Sequence, residues 1–508
     1  MGREAMQQVE LSDDSGAAAD ADTPDAGTTT GSGTTTDPAA ARRWMRRRRW
    51  AVAVAATVVV GLVGTQVVLD ARERARAAHV ASIPGVLAPV DASIHTLWSS
   101  SDWSTFSALT GVPFGDVMIG GYLDETGDRT VRAIRPRKGE VVWSTLLSAA
   151  DPAAQAGTSG TWPSCTLDAR PPTPQVVCLV SDGAVLGSAD GVPTAVAATF
   201  ARLVVLDPVT GEVLAQHDEP ASSAAWVAVL DGVAIVASRS STGHLVVVGE
   251  DPRTGDEQWR FESPLPLAPA LPNAWSQDPS GFTLGVVADQ VAVTASGGEV
   301  WVLSSAGDVI DQEPAGSRTG LEVLRAGLIG VVDYDTSTPT GRSMRIVGRD
   351  ASMGIAADQQ PITLSVDDGS VPNLLFTSSD RLVAWDMTTW DIAWASSVAA
   401  DTTAVLLDGR LYARSSGGHV LALDAATGAT LWEVSLGGLT GNPVYTDGRS
   451  ILAPETLATG SRTLVALAPV DGHRVWEAPL PDSITNVWQL GRHLIGTPDG
   501  GGPAVVLG

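Results

Sequence analysis

The sequence predicts an all-β protein, a β-propeller of four-stranded blades preceded by a disordered tail and one transmembrane helix. Three observations support this prediction. A short hairpin phrase recurs along most of the chain, and further strand-like pairs precede most of its copies. Near the N-terminus an uncharged apolar run follows a cluster of arginines.

The N-terminal tail, residues 1–41, carries eight acidic residues, one arginine and hardly any large apolar side chain. Such a segment cannot form a core, so we expect it to be disordered. Residues 42–49 hold six arginines and form a basic juxtamembrane segment. Residues 50–69 carry no charge, and 20 helical residues extend about 30 Å, the thickness of a bilayer's hydrocarbon core. They are predicted to form a transmembrane helix.

The arginines also predict an orientation. Six lie just before the apolar run, and three, Arg72, Arg74 and Arg76, lie just after it. Because positive charge is retained on the cytoplasmic side, the tail is expected inside and residues 70–508 outside the plasma membrane, with residues 70–84 as a stalk. A cleaved signal peptide is the alternative, since Arg42 and Arg43 precede the run and "ARA" at 75–77 resembles a cleavage site.

The hairpin phrase is clearest in "LALDAATGATLWEVSL", residues 421–436. Leu421 and Leu423 alternate with small residues, as in a strand with one buried face. Asp424 can accept hydrogen bonds from the following backbone N–H groups, and Gly428 can adopt the positive φ that closes a bulged hairpin. Trp432 then stands four residues after the glycine, in the second strand.

Eight copies of this hairpin occur, separated by roughly 40 residues, the length of one propeller blade. Eight blades are favoured, with seven or nine as alternatives. The segment "ASIHTLWSS" (92–100) is expected to join the last strands of the chain in one composite blade. The glycine and tryptophan positions assigned to the repeat are Gly139, Trp143, Gly211, Gly255, Trp259, Trp394, Gly428, Trp432, Gly472 and Trp476. Weaker copies place Gly307, Gly354 and Trp390 in the glycine position.

The repeated unit is a strand, an Asp-x-x-Thr-Gly turn and a second strand that carries tryptophan. This order resembles the repeat of the PQQ-binding-like β-propellers, the quinoprotein alcohol dehydrogenase-like superfamily. The resemblance covers residues 85–508. It implies that the glycine and tryptophan of adjacent blades pack on one another. Enzymes of that family hold PQQ with neighbouring cysteines and with calcium bound by Glu, Asn and Asp. This chain has no adjacent cysteines, and its asparagines stand only at positions 273, 373, 442 and 486, so no cofactor is predicted.

Cys165 and Cys178 are predicted to form a disulfide. Apolar, strand-like residues surround each cysteine, and a Pro-rich turn lies between them, so the pair can bridge two antiparallel strands. An oxidising compartment outside the membrane favours such a bridge. The two cysteines do not form a CxxC redox or metal motif.

Charge restricts the partners. Of the 32 basic and 57 acidic residues, the first 82 positions contain ten of each, which leaves a net charge of −25 on residues 83–508. Nucleic acid and anionic lipid surfaces would be repelled.

Common catalytic motifs such as HExxH, GxSxG and a Walker loop are missing from the sequence. His244 and His419 both follow a glycine that opens a strand, and this recurrence is explained by blade geometry. No catalytic, cofactor-binding or metal-binding residue is therefore predicted.

These observations predict a non-enzymatic, membrane-anchored extracytoplasmic propeller that acts as an interaction or assembly scaffold at the cell envelope. Its partner would be an envelope protein or glycan. Carbohydrate or peptidoglycan binding at the central face is the first alternative, and PQQ-dependent dehydrogenation is the second.

Overall fold

The structure is a computed structural model that describes residues 75–508, with gaps at 101–104, 106–107, 151–157, 161, 171–172, 187–193, 197, 223–224, 269–280, 315–318, 335–341, 348–358, 438–442, 458 and 499–502. The predicted tail, basic segment and membrane helix lie outside these residues. Within the described residues, no helix is both long enough and apolar enough to cross a membrane.

The described chain forms nine blade sheets, numbered I to IX. The first strand, β1 (Thr96–Ser100), belongs to the last blade. Blade I contains β2 (Val112–Phe114), β3 (Val117–Leu123), β4 (Arg129–Arg135) and β5 (Glu140–Ser148). A small extra sheet contains β6 (Thr158–Gly160), β9 (Ala184–Leu186) and β10 (Thr194–Val196). Blade II contains β7 (Ser164–Asp168), β8 (Gln175–Ser181), β11 (Ala201–Leu206) and β12 (Val213–Glu219).

The middle blades follow in chain order. Blade III contains β13 (Ala225–Leu230), β14 (Val233–Arg239), β15 (His244–Glu250) and β16 (Glu257–Pro266). Blade IV contains β17 (Phe282–Val287), β18 (Gln290–Ala295), β19 (Val300–Ser304) and β20 (Val309–Glu313). Blade V contains three described strands, β21 (Thr319–Val323), β22 (Ile329–Tyr334) and β23 (Arg342–Ile346), with a 3-10 turn at Arg325–Gly327.

The remaining blades complete the ring. Blade VI contains β24 (Gln360–Pro361), β26 (Leu374–Ser378), β27 (Leu382–Asp386) and β28 (Ile392–Ala395). Blade VII contains β29 (Ala400–Leu407), β30 (Arg410–Ser415), β31 (His419–Asp424) and β32 (Thr430–Ser435), with β25 (Thr363–Asp367) parallel to β29. Blade VIII contains β33 (Tyr445–Thr446), β34 (Ile451–Thr456), β35 (Arg462–Leu467) and β36 (Arg474–Pro479).

Blade IX is composite, as the sequence predicts. It contains β37 (Asn486–Leu490), β38 (His493–Thr497) and β39 (Ala504–Leu507), and β1 pairs with β39 to complete it. The prediction of eight blades is wrong, because it merges the composite blade with the first hairpin. Each hairpin of the repeat joins the third and fourth strands of one blade. In blade IX these two strands come from opposite ends of the domain, so eight hairpins correspond to nine blades.

The core lies between neighbouring sheets. In strand β31 the four consecutive residues Val420 to Leu423 are buried, so both faces of this strand lie in the core. The outermost strand β32 instead alternates, with Leu431 exposed and Trp432 buried. In blade VII the outer strand retains the period-2 pattern, and the strand beside it reads as a continuous apolar run.

The segment before β1 packs on the propeller. Residues 75–82 are helical, and Val86 and Leu87 are buried among residues of blades VII to IX. Leu87 N–H donates to the Thr446 carbonyl at 2.9 Å, and Ala88 N–H donates to the Arg492 carbonyl at 2.8 Å. Val80 of the predicted stalk is buried in the same cluster as Val86, so the described part of the stalk contacts the domain that follows it.

The predicted disulfide is confirmed. Cys165 on β7 and Cys178 on β8 are directly opposite in the antiparallel pair, with Cα atoms 4.1 Å apart. The bond joins the two inner strands of blade II and closes a loop of 13 residues.

We expect loss of this disulfide to lower the free energy of unfolding by about 2–3 kcal/mol, because the reduced unfolded chain regains the entropy of a 13-residue loop. The measurement is denaturant unfolding of the Cys165→Ala/Cys178→Ala double variant beside the unsubstituted protein. A reducing agent should destabilise the unsubstituted protein and leave the variant unchanged. Equal stability of both proteins under oxidising conditions would contradict the expectation.

Candidate functional site

Neighbouring blades meet where an outer-strand tryptophan lies on the turn glycine of the next blade. Three such pairs are Trp143 with Gly211, Trp394 with Gly428 and Trp432 with Gly472. A Cβ atom added to any of these glycines would lie 2.5–2.6 Å from a ring carbon, and their φ angles are +72° to +74°. Only glycine accepts both the ring and this backbone conformation, which explains the constant spacing of the repeat.

The same indole groups are held by hydrogen bonds. Each Nε1–H donates to the carbonyl three residues before the glycine, at 3.1 Å for Pro208, 3.0 Å for Ala425 and 3.0 Å for Pro469. Trp259 lies on Gly307 but its Nε1 has no partner among the described residues. The receiving turn is one residue shorter there, since Gly307 N–H bonds to the Ser304 carbonyl.

The ring is closed by a tryptophan outside the predicted set. Trp98 on β1 lies on Gly139 and its indole donates to the Pro136 carbonyl. No turn precedes Trp98, so a search for the hairpin misses it. The triplet "TLW" at 96–98, repeated at 430–432, was the available signal. Trp476 meets no equivalent turn, because the third and fourth strands of blade IX, β39 and β1, are not consecutive in the chain.

Between blades IV and V, an ion-pair network replaces the tryptophan. Asp311 stands four residues after Gly307, in the tryptophan position. Arg345 on β23 donates to Asp311, and its Nη2 lies 2.6 Å from Glu313 Oε1. These side chains are only 17–28% exposed, so loss of one partner would leave charge poorly solvated.

Between blades V and VI, the tryptophan comes from the turn of the following blade and not from the outer strand of the preceding one. Trp390 occupies the glycine position of the turn with φ +62°. Its side chain is buried with Met344 and Ile346 of blade V. The positive φ of Trp390 costs free energy, and the packing of its side chain between the two blades offsets that cost.

Between blades II and III stands a cluster of ionisable side chains, which we call the His–Glu cluster: His217, Glu219 and Glu250. His217 lies against Gly255, whose added Cβ would be 2.9 Å from the imidazole Cδ2. The His217 Nε2 atom lies 3.2 Å from Glu219 Oε1 and 3.2 Å from Glu250 Oε1. The side chains are 17%, 8% and 6% exposed, respectively.

Burial dominates the electrostatics of this cluster. It raises the pKa of Glu219 to about 8, with a further contribution from the neighbouring Glu250 carboxylate. Burial also raises the pKa of Glu250. The two carboxyl groups share a hydrogen bond, because one proton held between them avoids two adjacent buried negative charges. Sequence reasoning missed this site, since 33 residues separate His217 from Glu250.

A polar cleft lies where blades VI, VII and VIII meet. Its volume is about 260 Å³. The lining residues are Gln360, Ser378, Ser379, Ala400, Asp401, Thr402, Thr403 and Pro443. Most of these side chains offer hydroxyl, amide or carboxylate groups, and aromatic rings are missing from the lining. The cleft can hydrogen-bond a small polar ligand.

The two histidines discussed from the sequence have local partners. His244 Nδ1 lies 2.7 Å from the Ser263 carbonyl, and His419 Nδ1 lies 2.9 Å from Glu433 Oε1. Both are at the start of a third strand, as the repeat places them. Asp207 and Asp424 cap the turns, each accepting two backbone N–H bonds at 2.8–3.1 Å.

Comparison with solved structures gives distant similarities. The chain is 18% identical to BamB from Moraxella catarrhalis, over 82% of this chain and 99% of that one, with a TM-score of 0.37. It is 14% identical to quinohemoprotein alcohol dehydrogenase from Comamonas testosteroni, over 83% of this chain and 78% of that one, with a TM-score of 0.33. It is 16% identical to the computationally designed Ika8 protein, over 69% of this chain and 98% of that one, with a TM-score of 0.33. No curated protein sequence matches the chain.

A family model gives a stronger result. The family described as outer membrane protein assembly factor BamB matches residues 127–329 and 325–498, nearly three quarters of the chain. The matched residues include all eight turns that carry the repeat and all of blades II to VIII. The chain therefore belongs to this family of PQQ-like β-propeller repeat proteins.

Proposed function

We propose that the protein is a non-enzymatic scaffold that is anchored in the cell membrane and holds partner proteins at the cell envelope. The observation that carries this proposal is the match of residues 127–498 to a family described as an outer membrane assembly factor. A scaffold needs a rigid body with an accessible binding surface. The outer strands of the blades offer such a surface.

Exposed apolar side chains recur at one position of these outer strands, three residues after the turn residue. We call this set the rim row: Val142, Leu214, Ile310, Leu431 and Val475. Each is 39–51% exposed. Since Trp432, one residue further on, faces the next blade, strand alternation directs Leu431 away from it. The row therefore follows from the same register that orients the tryptophans.

The outer strands also present unpaired backbone. β5, β12, β20, β32 and β36 each pair with one neighbour within their sheet. An extended segment of a partner can add to such an edge through main-chain hydrogen bonds, with the rim row contributing apolar contacts. This mode suits a partner protein. It does not suit nucleic acid, which the acidic domain would repel.

Orientation and absence of catalysis are parts of the proposal. The arginine asymmetry around residues 50–69 supports a cytoplasmic N-terminus and an extracytoplasmic propeller. Both cysteines are consumed by the disulfide between β7 and β8, so they are not the neighbouring pair that holds PQQ in related enzymes. We expect no PQQ-dependent turnover.

Crosslinking in intact cells tests the proposal. A membrane-impermeant reagent should join the full chain to envelope proteins. The Leu214→Asp/Leu431→Asp variant should lose these products, because a carboxylate in the rim row opposes apolar contact and strand addition. Val209→Asp is the matched control, since Val209 is 65% exposed in a turn outside the row. It should crosslink normally.

Other outcomes separate the parts of the proposal. Products that form only with a membrane-permeant reagent would contradict the orientation. Unchanged products in a folded rim-row variant would contradict binding at the outer strands. Isolation of the chain with glycan alone, lost when Asp401 and Thr402 in the polar cleft are replaced by alanine, would favour the carbohydrate-binding alternative.

A further inference from the structure

Three positions of the repeat change together at one blade interface, where they form the His–Glu cluster. Glu250 stands five residues before the turn glycine of blade III. The equivalent residues in blades I, II, VII and VIII are buried and aliphatic, namely Ile134, Leu206, Leu423 and Leu467, and blade VI has the buried Trp385 there. A carboxylate in this position cannot be explained by the blade's own packing, because burying it there costs free energy unless it has a polar or charged partner.

The two other members depart from the repeat in the same way. His217 and Glu219 stand six and eight residues after Gly211. In blade IV the position of His217 holds Glu313, which pairs with Arg345. In blades I, III, VII and VIII the equivalent pairs are Thr145 with Leu147, Phe261 with Ser263, Val434 with Leu436, and Ala478 with Leu480. None of the residues in these pairs is an imidazole or a carboxylate. At the same interface Ala215 replaces the tryptophan, so the usual link between blades II and III is missing where the new groups occur.

The geometry fits a tetrahedral metal ion. Zinc binds histidine nitrogen at about 2.0–2.1 Å and carboxylate oxygen at about 2.0–2.2 Å, which places neighbouring tetrahedral ligand atoms about 3.3–3.5 Å apart. The Nε2 atom of His217 lies 3.2 Å from one oxygen of each glutamate, and all three ligand atoms lie within 4.8 Å of one another. Only small side-chain adjustments are therefore needed.

Charge and accessibility also fit. Two carboxylates balance a divalent cation, so the site becomes electrically neutral without an exposed counter-ion. The Nδ1 atom of His217 has no protein partner among the described residues, and it can carry the ring proton while Nε2 presents its lone pair. The partly exposed imidazole leaves one side open, through which zinc can enter and a water molecule can complete the tetrahedron.

We propose that His217, Glu219 and Glu250 bind a zinc ion, with water as its fourth ligand, that joins blades II and III in place of the tryptophan–glycine contact. Glu219 and His217 come from the outer strand β12, and Glu250 comes from the end of β15 in the next blade. The ion thus bridges the same two elements that the tryptophan joins elsewhere. This inference is independent of the proposed scaffold role.

Zinc content and thermal stability of the purified full chain test the proposal. After removal of metal with a chelator and addition of zinc alone, the chain should retain one zinc ion through dialysis and unfold at a higher Tm. His217→Ala and Glu219→Gln should each lose the bound ion and the zinc-dependent rise in Tm. His419→Ala is the matched control, because His419 and Glu433 form an exposed pair with no third ligand among the residues that the structure describes. It should bind zinc as the unsubstituted chain does.

A repeat-like variant keeps the test decisive if the single variants unfold. The triple variant His217→Thr/Glu219→Leu/Glu250→Leu carries residues that other blades have at these positions and should fold without zinc. Absence of zinc from the reconstituted unsubstituted chain, or equal zinc content in the triple variant, would overturn the proposal.

Discussion

Truncation of the chain after Ile484 should abolish cooperative unfolding of the whole propeller. The deletion removes β37, β38 and β39, leaving β1 without a partner. It also removes six buried aliphatic side chains: Val487, Leu494, Ile495, Val505, Val506 and Leu507. At about 1.5–3 kcal/mol each, their loss is comparable to the net stability of a typical domain, about 5–15 kcal/mol.

Circular dichroism and hydrogen exchange during denaturant titration measure this effect. The full chain should unfold in one transition, and the truncated chain should show a broad, non-coincident loss of structure. Addition of a peptide with residues 485–508 should restore protection in β1 and in blade I, because the missing strands are supplied in trans. The same peptide with Ile495→Asp and Val505→Asp is the control and should restore nothing. A sharp transition in the truncated chain would show that the ring does not depend on blade IX.

Blade architecture could be predicted from the sequence because its determinants are local. The alternation around Leu421, the turn at Asp424 and Gly428, and the position of Trp432 all lie within one hairpin. The disulfide could also be predicted from the sequence, because Cys165 and Cys178 flank a single turn. The composite blade was predicted from unpaired strand candidates at the two ends of the domain, but it was merged with the first hairpin in the predicted count of eight, whereas it is a separate ninth blade.

The His–Glu cluster could not be predicted in this way. Glu250 looks like an ordinary polar residue before a turn, and only the register of β15 against its neighbours shows that its position is buried. His217 and Glu219 alternate on β12 as expected for any half-exposed strand. Their meeting depends on how blade III stacks on blade II, a long-range property that hairpin periodicity does not specify. Comparison of equivalent positions among the repeats was the remaining signal.

The ion-pair network between blades IV and V illustrates the same limit. Asp311 occupies a tryptophan position, and Arg345 lies 34 residues further along the chain. A charged residue in that position first reads as a degenerate copy of the repeat. The structure shows instead that the interface is retained with different chemistry, so sequence divergence of a blade does not mean loss of its contact.

Replacement of Trp432 by alanine should lower the free energy of unfolding by about 3–5 kcal/mol, as expected for a large-to-small change in a core. The side chain is 8% exposed, contacts Tyr412 with ring centroids 5.9 Å apart, and donates to the Pro469 carbonyl at 3.0 Å. Alanine leaves a cavity between blades VII and VIII and a carbonyl without its donor. Denaturant unfolding of the variant measures the loss.

Trp162 provides the matched control because its side chain is 44% exposed, and Trp162→Ala should change stability by much less. A Trp432→Ala variant with unchanged stability and lost partner binding would contradict the packing role and make the tryptophans a binding surface.

A double-mutant cycle with Gly472 identifies the contact itself. Gly472→Ala alone should be destabilising, because its Cβ would lie 2.6 Å from the Trp432 ring and the residue has φ +74°. Once the ring is removed, the steric part of this cost disappears and only the backbone part, about 1 kcal/mol, remains. The Trp432→Ala/Gly472→Ala variant should therefore be more stable than the sum of the single changes predicts. Additive changes would mean that the ring and the glycine do not restrain each other, and the fixed four-residue spacing between glycine and tryptophan would then need another cause.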